Sequence, residues 1–172
     1  MSGPMPQAVA SATESPPAET AVQKFSIICS KGSLDMAYPP FIMGNAAALM
    51  GYEVHLFFTF WGMDIIHKKR VGKLHATPVG NPGAHMPALL GVLPGMQPMM
   101  TAMLHKKIAK MKIPPLPEMI ANAKELGVHL HACSTSMEMM DMSNDDLIPE
   151  VEDVVGAATF LSLSEGGQTL FV

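Results

Sequence analysis

Two cysteines carry the most reactive groups that this sequence offers. Cys133 lies in the segment HLHACSTSMEMMDM, residues 129–142, and Cys29 ends the segment KFSIIC, residues 24–29. A cysteine can fill a core, bind a metal, form a disulfide or act as a nucleophile, and its surroundings decide among these roles. Each thiol therefore has to be interpreted from the elements that hold it.

The residues after Cys133 favour a nucleophilic thiolate. The segment SMEMMDM, residues 136–142, predicts a short helix. A thiolate near a helix N-terminus faces unpaired N–H groups, which lower its pKa. Ser134, Thr135 and Ser136 can add hydrogen bonds to the same anion. We therefore predict Cys133 as the central residue of a reactive site.

Cys29 is a less certain candidate for the same chemistry. It ends a predicted buried strand, where an inert core cysteine is an equal alternative. Lys31 follows two residues later and would favour an anion at the end of that strand. We predict Cys29 as a second thiol that assists Cys133.

A metal site is the competing interpretation of the cysteine segment. His129, His131 and Cys133 alternate along a predicted strand, so their side chains share one face. Alternation along a strand is not a known zinc spacing, and the sequence contains no CxxC motif. We predict no metal, and we expect His131 to assist the Cys133 thiol modestly.

The composition excludes several classes of protein. Hydrophobic residues form 48% of the 172 residues and charged residues only 15%, which indicates much buried surface. A net charge of −4 gives no general attraction to nucleic acid. Two cysteines are too few for a disulfide framework, and no apolar leader segment precedes Lys24. We predict a cytoplasmic protein that needs no organic cofactor.

Short apolar runs alternate with helical segments along most of the chain. The predicted strands are residues 24–29, 53–60, 128–133, 151–156 and 168–172. The predicted helices are residues 34–50, 117–126, 136–142 and 157–165. This alternation predicts an α/β fold: a small flavodoxin-like domain of about five mostly parallel strands, with helices on both faces.

The expected strand order brings the two thiols together. In the order 2-1-3-4-5, the first and third strands are neighbours. Cys29 and Cys133 would then end adjacent strands at the same edge of the sheet, one or two strand spacings of about 4.8 Å apart. Reactive groups in open α/β sheets gather at this edge, so the order predicts a site that contains both cysteines.

The chain divides into a tail and a folded part. Residues 1–22 are rich in Pro, Ala, Ser, Thr and Glu, which predicts a disordered tail. Residues 23–172 are expected to form one domain with a Met/Pro-rich insertion at about 62–116. Within it, the uncharged residues 87–104 precede a basic run, residues 105–112. This stretch is interpreted as a cover or oligomer contact, with a hairpin at a membrane surface as the alternative.

Several segments together resemble the DsrE/DsrF/DsrH-like proteins, nearest to the DsrE branch often labelled peroxiredoxin-like or sulfur-reductase-like. They are KFSIICSKGSLDMAYPPFIMGNAAALMGYEVHLFFTFWG, LPGM, GVHLHACSTSM and the closing TLFV. The resemblance covers about residues 23–172, and the pair FFTFWG and ACSTSM is its most specific part.

The resemblance implies a small α/β fold that forms homo-oligomers or hetero-oligomers and takes part in cytoplasmic sulfur trafficking. The working cysteine of the family falls in the segment that matches HACSTSM, so Cys133 is the residue implied. It would accept sulfane sulfur or thiosulfonate and pass it to a TusA-like carrier, with a rhodanese-type protein upstream. The match to IICSKG implies Cys29 as a second thiol.

Two other functions remain open at the level of sequence. The chain could be a thiol redox protein in which Cys29 and Cys133 cycle through a disulfide, which requires Cα atoms within about 7 Å. It could also be a non-catalytic module that uses residues 87–112 for peripheral contact with a membrane.

Overall fold

Five parallel strands form the centre of the protein. The structure, a computed structural model, describes residues 22–77 and 93–172. The strands are β1 (Lys24–Cys29), β2 (Glu53–Phe58), β3 (His129–Cys133), β4 (Asp153–Val155) and β5 (Gln168–Phe171). The helices are α1 (Leu34–Leu49), α2 (Met96–Lys110), α3 (Leu116–Glu125), α4 (Ser134–Met139) and α5 (Ala157–Leu163). The predicted α/β class and the parallel sheet are confirmed.

The order of the strands differs from the expected one. The sheet runs β4-β3-β2-β1-β5, so β2 lies between β1 and β3. Each of the first three crossovers steps to the next neighbour in the same direction, and β5 then pairs with the free side of β1. The prediction that the first and third strands are neighbours is therefore wrong.

Side chains from the sheet form two separate cores. Successive residues of a strand point to opposite faces, so each strand contributes to both. The main core packs the sheet against α1 and α3, with Phe41 and Ile120 as large buried residues. On the other face a small cluster joins Phe57, Cys133 and Val155 to Phe160 of α5. The helices thus cover both faces of the sheet.

The connection between β2 and α3 contains regular structure that the sequence pattern did not indicate. Short 3₁₀ helices span Phe60–Ile66 and Val71–Lys73, and α2 spans Met96–Lys110. Among the described residues, no helix has both the length and the apolar character needed to cross a bilayer. The hairpin at a membrane surface stays a prediction, because residues 87–92 lie outside the described ranges.

The predicted tail, residues 1–22, also lies outside the described residues, apart from its last residue. Helix α1 begins at Leu34, as predicted, and contains Pro39 and Pro40. Helix α3 matches the sequence pattern closely. Helix α3 begins and ends within one residue of the predicted bounds, and Gly127 follows it with a φ of 80°.

Candidate functional site

Cys133 occupies the junction between β3 and α4. It is the last residue of β3 and also occupies the N-cap position of α4, without a side-chain capping hydrogen bond, because the helix begins at Ser134, two residues earlier than predicted. At this capping position a side chain can accept hydrogen bonds from N–H groups of the first helical turn. The sequence of β3 thus delivers the thiol directly to the start of the helix.

Hydrogen bonds lower the pKa of the Cys133 thiol. Burial acts in the opposite direction, but the hydroxyls of Ser136 and Thr59 and the backbone N–H groups of Ser136 and Thr135 outweigh it. The net pKa lies below its ordinary value. Since the thiolate is the nucleophilic form, this environment favours the reactive form of Cys133.

The segment after β2 supplies the polar wall of the thiol site. Thr59 Oγ1 lies 3.0 Å from Ser136 Oγ, and the Phe60 N–H donates to the same Ser136 oxygen at 2.8 Å. The Ser136 oxygen accepts a hydrogen bond from Phe60, and its hydroxyl can still donate its own proton. That proton can point at Thr59 or at Cys133. The sequence analysis did not single out Thr59; a polar residue at the end of the apolar run EVHLFF was the available signal.

A close backbone contact fixes the position of that segment. Gly62 lies against the main chain of β1, so a Cβ at this position would be 2.0 Å from the Cys29 carbonyl oxygen. The Thr59 N–H donates to that same carbonyl oxygen at 3.0 Å. Phe60 adopts a φ of 47°, which is uncommon for a residue with a side chain. These features hold Thr59 beside Ser136.

Access to the thiol is narrow. Cys133 keeps 6% of its surface exposed, next to the buried side chains of Phe57 and Phe160. Phe60 and Trp61, just beyond Thr59, are 56% and 66% exposed. The thiol therefore lies in a largely buried apolar setting, and the two exposed aromatic residues follow Thr59 in the chain.

The structure separates Cys29 from this site. Cys29 belongs to the main core, whereas Cys133 belongs to the cluster on the opposite face of the sheet. Strand β2 also lies between them, which places their Cα atoms on the order of 10 Å apart. The prediction that both thiols share one site is wrong, and so is the disulfide of the redox alternative, which needs about 7 Å or less.

Burial also makes the Cys29 thiol unreactive. It is 1% exposed, and this desolvation raises the pKa of the thiol far above its ordinary value. Its Sγ lies 3.9 Å from the Ile27 carbonyl oxygen within the same strand. These features are those of a core residue.

The other predicted residues fall in different places. Ser136 is buried and lies in the thiol site, while the side chains of Ser134 and Thr135 are exposed. Lys31 is exposed and lines a separate cavity together with Trp61. The structure thus brings Ser136 and the Thr135 backbone to Cys133, but not Lys31.

His131 is engaged on both ring nitrogens. Its Nε2 lies 3.0 Å from His55 Nδ1, and its Nδ1–H donates to Asp153. The far nitrogen of His55 lies 3.0 Å from Glu53 Oε1, so two carboxylates flank two buried imidazoles. The expected assistance of His131 to Cys133 is therefore wrong, because neither nitrogen is free to accept the thiol proton.

The histidines do not form a metal site with the cysteine. Within residues 22–77 and 93–172, no group of three or more His, Cys, Asp or Glu side chains has the arrangement that could hold a metal ion. The three imidazoles instead stack on one another, with the His55 and His129 ring centres 4.8 Å apart. Their role in the described part of the chain is packing and hydrogen bonding across β2, β3 and β4.

The sequence profile of the DsrE/DsrF/DrsH-like family matches residues 21–171. The chain belongs to this family. The resemblance inferred from FFTFWG and ACSTSM is confirmed, and in this member these two segments are the ones that meet around Cys133.

Two curated relatives align over nearly their whole lengths. The sulfur carrier protein DsrE2 of Allochromatium vinosum is 40% identical over 158 residues, covering 87% of this chain and 98% of the relative. The uncharacterized protein YrkE of Bacillus subtilis is 27% identical, covering 87% of this chain and 97% of the relative.

A solved structure shares the fold. The protein of unknown function MTH1491 from Methanobacterium thermoautotrophicum superposes with a TM-score of 0.50 at 13% identity. The match covers 87% of this chain and 99% of that protein. At this identity the likeness concerns the α/β architecture alone.

Proposed function

We propose that this protein is a sulfur carrier whose Cys133 accepts sulfane sulfur or thiosulfonate and passes it to a partner protein. In the first case the Cys133 thiolate attacks the outer sulfur of a persulfide, the S–S bond of the donor breaks, and the donor leaves as a thiolate. In the second it attacks an inner sulfur of tetrathionate, binds the S–SO₃⁻ group and releases thiosulfate. Both steps are thiol–disulfide type exchanges that need no external oxidant or reductant.

The observation that carries this proposal is the environment of the Cys133 thiol. Burial opposes the negative charge, but four hydrogen-bond donors lower the pKa of the thiol, which favours the attacking thiolate. An adjacent second thiol would tend to release a bound sulfur by forming a disulfide, and Cys29 lies on the other face of the sheet. The 40% identity to a protein named as a sulfur carrier supports the same role.

The proposal includes the setting in which the carrier works. A rhodanese-type protein would load Cys133 and a TusA-like carrier would receive the sulfur, and the carrier would act as a homo-oligomer in the cytoplasm. Two free cysteines suit a reducing compartment. The transfer itself calls for no metal and no organic cofactor, since both bonds are exchanged between sulfur atoms.

Intact mass spectrometry tests the proposal. The wild type, Cys133→Ser and Cys29→Ser are incubated with thiosulfate, tetrathionate and polysulfide, and the mass is measured before and after reduction. We expect a reducible gain in the wild type and in Cys29→Ser, and none in Cys133→Ser. Cys29→Ser is the matched control, because it removes the other thiol by the same substitution.

Two other results of this experiment would contradict our expectations. Absence of a reducible adduct with every donor would overturn the proposal. A gain that requires both cysteines would contradict the separation of the thiols across the sheet.

A further inference from the structure

Basic residues are concentrated in one stretch of this acidic chain. Residues 65–117 contain eight of the eleven Lys and Arg residues and no Asp or Glu. The net charge of −4 hides this segregation, because all fifteen acidic residues lie outside the stretch.

Part of this stretch forms the wall of an open cavity of about 570 Å³. The cavity lies beyond the carboxyl ends of β1 and β2, where open α/β sheets usually bind ligands. Lys31 approaches from the turn after β1, whereas Lys69, Arg70 and Lys73 come from the 3₁₀ region after β2. Four basic side chains therefore meet around one space.

Little negative charge opposes these cations. Asp64 is the acidic residue among the described lining residues, and it pairs with Arg70 at 2.5 Å. Within the described part of the chain, Lys31, Lys69 and Lys73 have no carboxylate within ion-pair distance. Like charges held this close repel one another, and a bound anion would relieve that repulsion.

The starts of two helices also lie at the cavity, and the first N–H of each already donates to a carbonyl: Leu34 to His75 and Met96 to Leu93. Ser33, the residue before α1, and Gln97, in the first turn of α2, both line the cavity. These helices have 16 and 15 residues, so their N-termini carry a substantial positive dipole end. The Ser33 side chain makes no capping hydrogen bond of its own. Backbone N–H groups and cations in one place are the usual elements of an oxoanion site.

The rest of the wall suits an organic group. Trp61 is 66% exposed and lines the cavity together with Leu74. Gly32 fixes this wall, since a Cβ there would lie 2.2 Å from the Trp61 carbonyl oxygen. The volume falls within the range of small-molecule sites and exceeds what one inorganic oxoanion fills.

We propose that this cavity binds a small organic molecule bearing a tetrahedral oxoanion, such as a phosphate or sulfonate group. The oxoanion contacts Lys31, Lys69 and Lys73, and the organic part lies against Trp61. The site is separate from Cys133, but the two are joined by a short segment: Trp61 follows Phe60, whose N–H donates to Ser136. The proposal does not depend on the sulfur carrier function.

Trp61 makes the test direct, because it is the single tryptophan of the chain. Its fluorescence is followed while phenyl phosphate or inorganic phosphate is added to the full-length protein at constant ionic strength. We expect saturable changes, with phenyl phosphate binding more tightly than phosphate. The double variant Lys69→Gln/Lys73→Gln should weaken binding of phenyl phosphate by at least about tenfold.

The control is Lys106→Gln/Lys107→Gln, which removes the same charge from exposed positions of α2 outside the cavity. It should bind phenyl phosphate as the wild type does, and so should Cys133→Ser. Absence of a saturable change, equal weakening in both double variants, or equal affinity for the two ligands would overturn the proposal. Failure of sulfur loading at Cys133 would leave it untouched.

Discussion

The position of Cys133 at the start of α4 explains why a buried, apolar site can still favour a thiolate. Burial beside Phe57 and Phe160 works against the negative charge, while hydroxyl and backbone donors from two segments work for it. The donors prevail because they converge on a single atom. Thr59 is the member of this set that lies outside α4, in the segment just after β2, so its contribution can be removed without altering α4.

Replacing Thr59 by Val should raise the pKa of Cys133. The variant keeps the shape of the side chain but loses the hydroxyl that donates to the thiolate. At neutral pH we expect alkylation of Cys133 by iodoacetamide to become roughly tenfold slower, because a hydrogen bond to a charged group is lost. The wild type retains its reactivity to lower pH than the variant, since its thiolate persists down to its depressed pKa.

The matched control for that experiment is Thr135→Val. The Thr135 side chain is exposed, and only its backbone N–H reaches the thiol, so the same substitution should leave the pH dependence unchanged. A rate profile that shifts equally in both variants would assign the effect to packing rather than to the hydroxyl.

At the scale of elements, the paired imidazoles connect three neighbouring strands. The contacts run from Glu53 on β2 through His55 to His131 on β3 and on to Asp153 on β4. Burial lowers the pKa of His55, which favours its neutral ring. Strand β4 has only three residues, so this side-chain link supplements a short ladder of backbone hydrogen bonds.

His131→Leu should therefore destabilise the fold without changing the chemistry of Cys133. It leaves the buried His55 Nδ1 without a partner, which costs roughly 1–3 kcal/mol in urea unfolding. The control His129→Leu changes a residue that is 36% exposed in its side chain, and we expect a change within about 0.5 kcal/mol. A loss of Cys133 alkylation at neutral pH in His131→Leu would show instead that the imidazole acts on the thiol.

The stability of the fold should be equally sensitive to a substitution of Gly62, in the 3₁₀ helix after β2. Gly62→Ala places a methyl group 2.0 Å from the Cys29 carbonyl oxygen, whereas Gly72→Ala meets nothing within 4 Å. Overpacking of this kind costs typically 1–3 kcal/mol, so urea unfolding should separate the two variants clearly. Similar stabilities for both would mean that the main chain near Gly62 can move aside at little cost.

At the scale of the whole molecule, the sheet separates the two thiols. Because Cys29 and Cys133 lie on opposite faces with β2 between them, mild peroxide treatment should yield no intramolecular disulfide. Mass spectrometry without reduction should find Cys133 oxidised or in mixed disulfides, and Cys29 unmodified. A Cys29–Cys133 bond in the monomer would contradict the described strand order.

The elements were predictable where a residue pattern has a single interpretation. Residues 24–29 match β1, and the Pro and Gly that flank α3 mark its ends. The sequence pattern did not predict α2, because Gly95 and Pro98 are residue types that usually interrupt helices. Gly95 in fact precedes the helix, and Pro98 lies in its first turn, where a backbone N–H has no intrahelical partner to lose.

The strand order, and the face of the sheet on which each thiol lies, were not predictable in the same way. Strand β2, EVHLFF, is buried on both faces from Val54 to Phe58 although one face carries Glu53 and His55, so its pattern does not show that both faces are covered. The chosen order depends on where each crossover packs, and that is decided by contacts between distant segments. Cys133 could be predicted as a candidate from the residues that follow it in the sequence. That Cys29 lies outside the candidate site and Thr59 lies inside it could be seen only in the tertiary structure.

The position of Cys133 at the start of α4 would have a consequence for the proposed carrier once it is loaded. Once Sγ is bonded to a second sulfur, it no longer bears the negative charge that the Thr135 and Ser136 N–H groups stabilise in the free protein. The start of α4 would then lose this anionic neighbour while the cargo is present and regain it on delivery. A partner protein that touches this helical turn could thereby distinguish a full carrier from an empty one.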